Sequence, residues 1–210
     1  MSQPTTEGSS AAKSGIIQSL RDELLALAEN DVKVRAELAA DGSLFDGYHP
    51  RMEAVHRHNA VRLREIIEVY GWTGRQLVGE DGAEAAWLIA QHAIGEPAFQ
   101  RRCLELLQAA TAAGDAPAYQ AAFLEDRIRV FEGRRQLYAT QFDIGEDGYP
   151  KPYEIEEPEK VDERRQSVGL EGLAAQISRA DWVEPPSATA RAQREQQYQQ
   201  WLRRVGWRSL

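Results

Sequence analysis

The sequence predicts a mainly α fold: one multi-helix domain with a small β-hairpin and a C-terminal helical extension. Three observations lead there. Apolar residues recur in steps of three and four from Gly15 to Gly133, the period of a helix with one buried face. Glycine or proline stands at the ends of those runs, at Gly42, Gly71, Gly95, Pro97, Gly114 and Gly133. Only the stretch near 136–155 alternates at period two around a turn. The chain has 210 residues, about one domain's length. The organisation predicted is a leader over 1–13, a helical domain over 14–178 with its hairpin near 136–155, and a Pro-linked helical tail over 179–210.

The first helix is expected from Ser14, its cap, to Ala40. Its stripe is Ile16, Ile17, Leu20, Leu24, Leu27, Val34 and Leu38. Asp31 fills the one gap in it, with Arg35 four residues on at ion-pair spacing. A second helix runs from Arg51 to Tyr70, where His56 and Asn59 fall on the face started by Met52. Trp72 to Gly82 carries three glycines and reads as a loop. A third helix, Asp81 to Ile94, places His92 on the same face as Leu88 and Ile89. Pro97 suits the first helical position of a fourth helix that ends near Ala113. Its Cys103 reads as a small buried hydrophobe.

A fifth helix spans Pro117 to Glu132, with Asp126 and Arg127 between its apolar rows, so that one of the two must point inward. Gln136 to Phe142 and Tyr149 to Ile155 suit the arms of a hairpin, confined to an edge by Pro150 and Pro152. A charged helix over Pro158 to Val168 and a shorter one over Leu170 to Ile177 follow. Beyond Pro185 and Pro186 comes a last helix capped by Ser187. It either packs back on the domain or presents Trp201 and Trp207 to a protein partner.

Charge and cysteine content narrow the function classes. A net charge of −8 argues against a nucleic-acid partner, whose phosphates need cations. No apolar run approaches the ~18 residues of a membrane helix, and the start of the chain lacks the pattern of a signal peptide. The single cysteine excludes an internal disulfide, and a cytoplasmic setting is expected. Nine acids against two lysines over 143–163 leave −7, and five arginines against one glutamate over 187–210 leave +4. The two segments are expected to be solvated surface; otherwise they pair within the fold or the tail meets an acidic partner.

Several strings occur together: Gly71-Trp72, Leu77-Val78-Gly79-Glu80-Asp81-Gly82, Trp87 to Ala93, and Pro97-Ala98-Phe99-Gln100. Asp126-Arg127-Ile128, Glu132-Gly133-Arg134, Gln136-Leu137-Tyr138, Thr140-Gln141-Phe142 and Val161 to Arg165 follow. In this combination the chain resembles a bacterial domain-of-unknown-function family, number 6624, over about Gly15 to Gln176. The resemblance implies no activity.

No strong enzymatic fingerprint is present: no phosphate-binding Gly-Lys-Ser loop, no Cys-x-x-Cys, no Gly-x-Ser-x-Gly and no His-Glu-x-x-His. What remains is a set of polar side chains that interrupt apolar faces: Asp31, His56, Asn59, His92 and Asp126. Gln91, Gln100, Arg127, Glu132, Gln136, Tyr138 and Gln141 lie around them in sequence. Buried polar groups need partners, so this set forms either a structural network or a cleft that a ligand completes. The preferred expectation is a cleft around His92 that binds a small polar ligand or peptide, without metal or cofactor. In the enzymatic alternative His92 is a general acid or base paired with Asp126 or Glu132. A metal would draw on His56 and His92 with Asp31 or Asp126.

Overall fold

Helix α1 (Gln18–Ala40) buries Leu20, Leu24, Ala28, Asp31, Val34 and Leu38, so the acid in the predicted stripe does point into the core. In this computed structural model residues 15–45 and 47–209 are described; the predicted leader and the cap at Ser14 lie outside them. Ile17 N–H donates to Leu77 O at 2.8 Å and fixes the entry of α1. Helix α2 (Pro50–Tyr70) starts with proline at its first position, where no N–H is needed. His49 caps it, accepting from Arg51 N–H at 3.1 Å. Helix α1 packs on α2 and, most extensively, on α3 (Arg75–His92).

The stretch 72–82, expected as a loop, is helical from Arg75 onward. Its glycines serve close approach and a kink instead. At Gly79, φ is +77°, a break that a residue with a Cβ would resist. A Cβ on Gly82 would lie 2.9 Å from Val78 Cβ and 3.2 Å from Arg21 Cγ, so the glycine lets α3 press against α1. The cap comes from far along the chain, where Asp115 Oδ1 accepts from Gln76 N–H at 2.8 Å.

Helices α4 (Pro97–Ala112) and α5 (Ala118–Phe131) pair with each other and complete a core centred on Leu24, Leu63, Ile89, Leu107 and Leu124. Cys103 is fully buried in it. Gln100 Nε2 donates to Ala90 O at 2.8 Å and Gln91 O at 2.9 Å, tying the end of α3 to α4.

The hairpin is shorter than its predicted arms and shifted along them. β1 (Phe142–Ile144) pairs antiparallel with β2 (Pro150–Pro152), Phe142 opposite Pro152 and Ile144 opposite Pro150. The segment before it is a turn rather than a strand, because two buried charges grip it from opposite sides. Asp126 accepts from the N–H groups of Leu137 (2.6 Å), Tyr138 (3.1 Å) and Thr140 (3.0 Å) and from Thr140 Oγ1 (3.1 Å). Arg165, on α6 (Val161–Ser167), donates to Tyr138 O at 2.6 Å and Ala139 O at 3.1 Å. Held between them, Ala139 takes φ +52°, a left-handed conformation that needs such support. A 3₁₀ turn (Pro158–Lys160) precedes α6, and α7 (Leu173–Ser178) follows it.

Helix α8 (Ala188–Val205) begins as predicted, with Ser187 Oγ accepting from Ala190 N–H. It lies on the domain rather than apart from it. Leu202 and Trp207 are buried, and Trp207 Nε1–H donates to Ile94 O at 2.7 Å. Arg208 donates to Phe131 O at 3.0 Å and Val130 O at 3.2 Å. Trp207 is therefore spent inside the fold, not offered to a partner. Of the acidic and basic segments, Arg191 and Glu146 approach to 3.7 Å at an exposed position, a pairing worth little. Among the described residues no helix is long and apolar enough to cross a membrane.

Candidate functional site

Three helices bring three polar side chains to one point. Asp31 lies four residues after Leu27, His56 four after Met52 and His92 three after Ile89, so each sits on its helix's inward face. Asp31 Oδ2 lies 2.9 Å from His92 Nδ1 and 3.3 Å from His56 Nε2. The two imidazole rings are 5.0 Å apart, tilted by 40°. Behind them, Tyr48 OH is 2.8 Å from His56 Nδ1 and its ring stacks on the imidazole. Asp31 and His56 are buried, whereas the His92 side chain keeps 19% of its surface accessible. Asp31 Oδ1 has no hydrogen-bond partner.

The electrostatics follow from this placement. Burial pushes the Asp31 carboxyl upward, but the hydrogen bond to His92 and the close approach of His56 outweigh it. The group sits well below the ordinary aspartate value and stays ionised. Burial lowers the His92 imidazole, against the pull of Asp31.

Above this cluster opens a pocket of about 600 Å³ lined by His56 and His92. Its walls are aromatic, from Tyr48, Phe131, Tyr198 and Trp201, and cationic, from Arg35, Arg127 and Arg194. Trp201 meets Tyr48 edge-on at 5.7 Å and Phe131 at 5.5 Å, so α8 closes one side. Arg127 is partly buried, and among the described residues no carboxylate pairs with it or with Arg35 or Arg194. Burial and the nearby Arg35 push the Arg127 guanidinium down to about 10, and its Nε has no partner.

The predicted site residues divide into two groups. Asp31, His56, His92 and Arg127 meet at the pocket. The others work elsewhere. Asn59 braces α2 on α1 through Leu27 O at 3.2 Å. Gln91 is buried with neither amide atom partnered. Gln100 ties α3 to α4. Gln136 holds the turn and the hairpin through Gln141 O and Tyr153 O. Gln141 donates to Thr140 Oγ1, and the Tyr138 backbone is held by Asp126.

Two pairings expected from the sequence, one from the enzymatic alternative and one from helical spacing, are corrected. The carboxylate beside His92 is Asp31, since Asp126 is committed to the turn and Glu132 to Arg101 at 2.7 Å and to Arg134. Asp31 pairs with the histidines and not with Arg35, which reaches the pocket instead. Sequence reasoning missed Tyr48, which sits in an aperiodic link, and Arg194 and Tyr198. Those two, with Trp201, enter the pocket only because the tail folds back.

Of the comparisons with known proteins, the one with protein families agrees with the resemblance read from the strings. No curated protein and no solved structure matches the chain. Residues 18–184 match the model of a family described as a family of unknown function, DUF6624. The side of the pocket that α8 closes lies beyond the matched residues. The match spans most of the chain, which therefore belongs to the DUF6624 family.

Proposed function

We propose that the chain binds a small organic anion, a carboxylate or phosphate joined to an apolar or planar group, in the pocket above His92. One observation carries this: the partly buried Arg127, with the exposed Arg35 and Arg194 beside it, lines a pocket with aromatic walls without a carboxylate of the described chain to meet it. A guanidinium withdrawn from water stands unpaired at a cost that a bound anion offsets. The volume of about 600 Å³ suits such a ligand, whereas an extended peptide would need a longer groove. No nucleic-acid or membrane partner is proposed.

The test is a thermal-shift panel pairing aromatic carboxylates and mononucleotides with their neutral amides and nucleosides. Anions should raise the unfolding midpoint, with the neutral counterparts at least ~10-fold weaker, the worth of one charge-assisted hydrogen bond. Equal binding of neutral counterparts would contradict the reading.

A second reading, catalysis, is favoured by the position of His92. Its Nδ1 is oriented by Asp31 while the ring borders the pocket, the arrangement of a general base held for a ligand.

A further inference from the structure

We propose that Asp31, His56 and His92 bind one divalent transition-metal ion at the floor of the pocket. The donor atoms of all three lie within 4.8 Å of one another, and the Asp31 oxygen is 2.9 and 3.3 Å from the two nitrogens. Tetrahedral ligands at ~2.1 Å from a zinc-sized ion stand ~3.4 Å apart. The cluster is therefore already near the spacing an ion imposes, with no helix needing to move.

Three further features fit. Asp31 is 1% exposed and His56 7%, so both donors are withdrawn from water. Asp31 Oδ1 and His56 Nε2 have no hydrogen-bond partner there. Two donor nitrogens otherwise crowd one carboxylate oxygen and leave the other bare, whereas an ion would be shared by all three residues. Tyr48 OH on His56 Nδ1 fixes the ring so that Nε2 faces Asp31, the outer contact that metal-binding histidines commonly have. The pocket side of His92 leaves room for water or a ligand atom on the metal. Two nitrogens and one oxygen favour zinc, iron, cobalt or manganese over calcium or magnesium, which take oxygen. The inference does not depend on what the arginines hold.

The experiment titrates chelator-treated, re-dialysed full-length protein with Zn²⁺ by calorimetry and with Co²⁺ by visible absorption. One ion per chain is expected, with cobalt bands of a four- or five-coordinate site. His56→Gln and His92→Gln should each lose affinity on the order of 100-fold, and Tyr48→Phe about 10–100-fold. Circular dichroism checks that each variant folds. If a histidine variant does not fold, the wild-type imidazole NMR signals decide: Zn²⁺ must shift those of His56 and His92. Absence of binding to folded wild type, unchanged affinity in both folded histidine variants, or Zn²⁺ shifts confined to His49 and His58 would overturn the proposal. In the first outcome the three residues hold protons only, and the anion reading stands.

Discussion

Asp126→Ala should lower the free energy of unfolding by about 3–5 kcal/mol, although Asp126 does not line the pocket. Its carboxylate takes three backbone N–H groups and one hydroxyl of the turn 137–140. Truncation leaves those donors bare, and each buried one costs ~1–3 kcal/mol. The loss spreads because Arg165 grips the same turn through its carbonyls and Ala139 is held at φ +52° between the two. Without Asp126, the turn keeps only the Arg165 side of the grip that holds Ala139 in that conformation. Asp126→Asn keeps a shortened set of acceptors and should lose about half as much. Urea unfolding followed by circular dichroism measures both, and a loss below ~1 kcal/mol in the alanine variant would contradict this account of the turn.

In chelator-treated protein Asp31→Ala should cost about 2–4 kcal/mol, from the lost contacts with His92 Nδ1 and His56 Nε2 and the space left on the core face of α1. His92 is spared part of the loss because its ring reaches the pocket. Asp31 and His92 should therefore be coupled. The double variant Asp31→Ala/His92→Ala should lose less than the sum of the single losses, by about 0.5–3 kcal/mol. Strict additivity in the same urea experiment would mean that the contact at 2.9 Å carries no energy.

Most of the helices could be read from the sequence because amphipathic period and capping are local signals. Ser187, Pro97 and Gly71 mark boundaries that the structure keeps. The glycines of 72–82 misled because glycine also allows close packing, and the partner that explains Gly82 is Arg21, far away in sequence. The alternation of 136–142 suggested a strand, but Asp126 and Arg165 satisfy that backbone better than a sheet neighbour would. Both are tertiary facts.

The candidate site was legible in part for the same reason. A polar residue on an apolar face announces burial, which is how Asp31, His56 and His92 were found, but not which partner it meets. Gln100, Gln136 and Asp126 carry the same signal and proved to brace the backbone. What separates the two groups is a pocket, and its far wall on α8 comes from a tail whose narrow apolar stripe, Tyr198, Trp201, Leu202 and Val205, does not say whether it docks on the domain or on a partner.

Arg127→Met, assayed for stability and anion affinity in one preparation, tests the central claim most directly. A guanidinium kept for a ligand is held against the interest of the fold, so an apolar side chain of similar length should leave unfolding free energy unchanged or raise it by up to ~2 kcal/mol. Affinity for the best anion of the panel should fall about 10–100-fold in the same protein. A variant that is destabilised while binding the anion as well as wild type would make Arg127 a structural residue, and the pocket would lose its function.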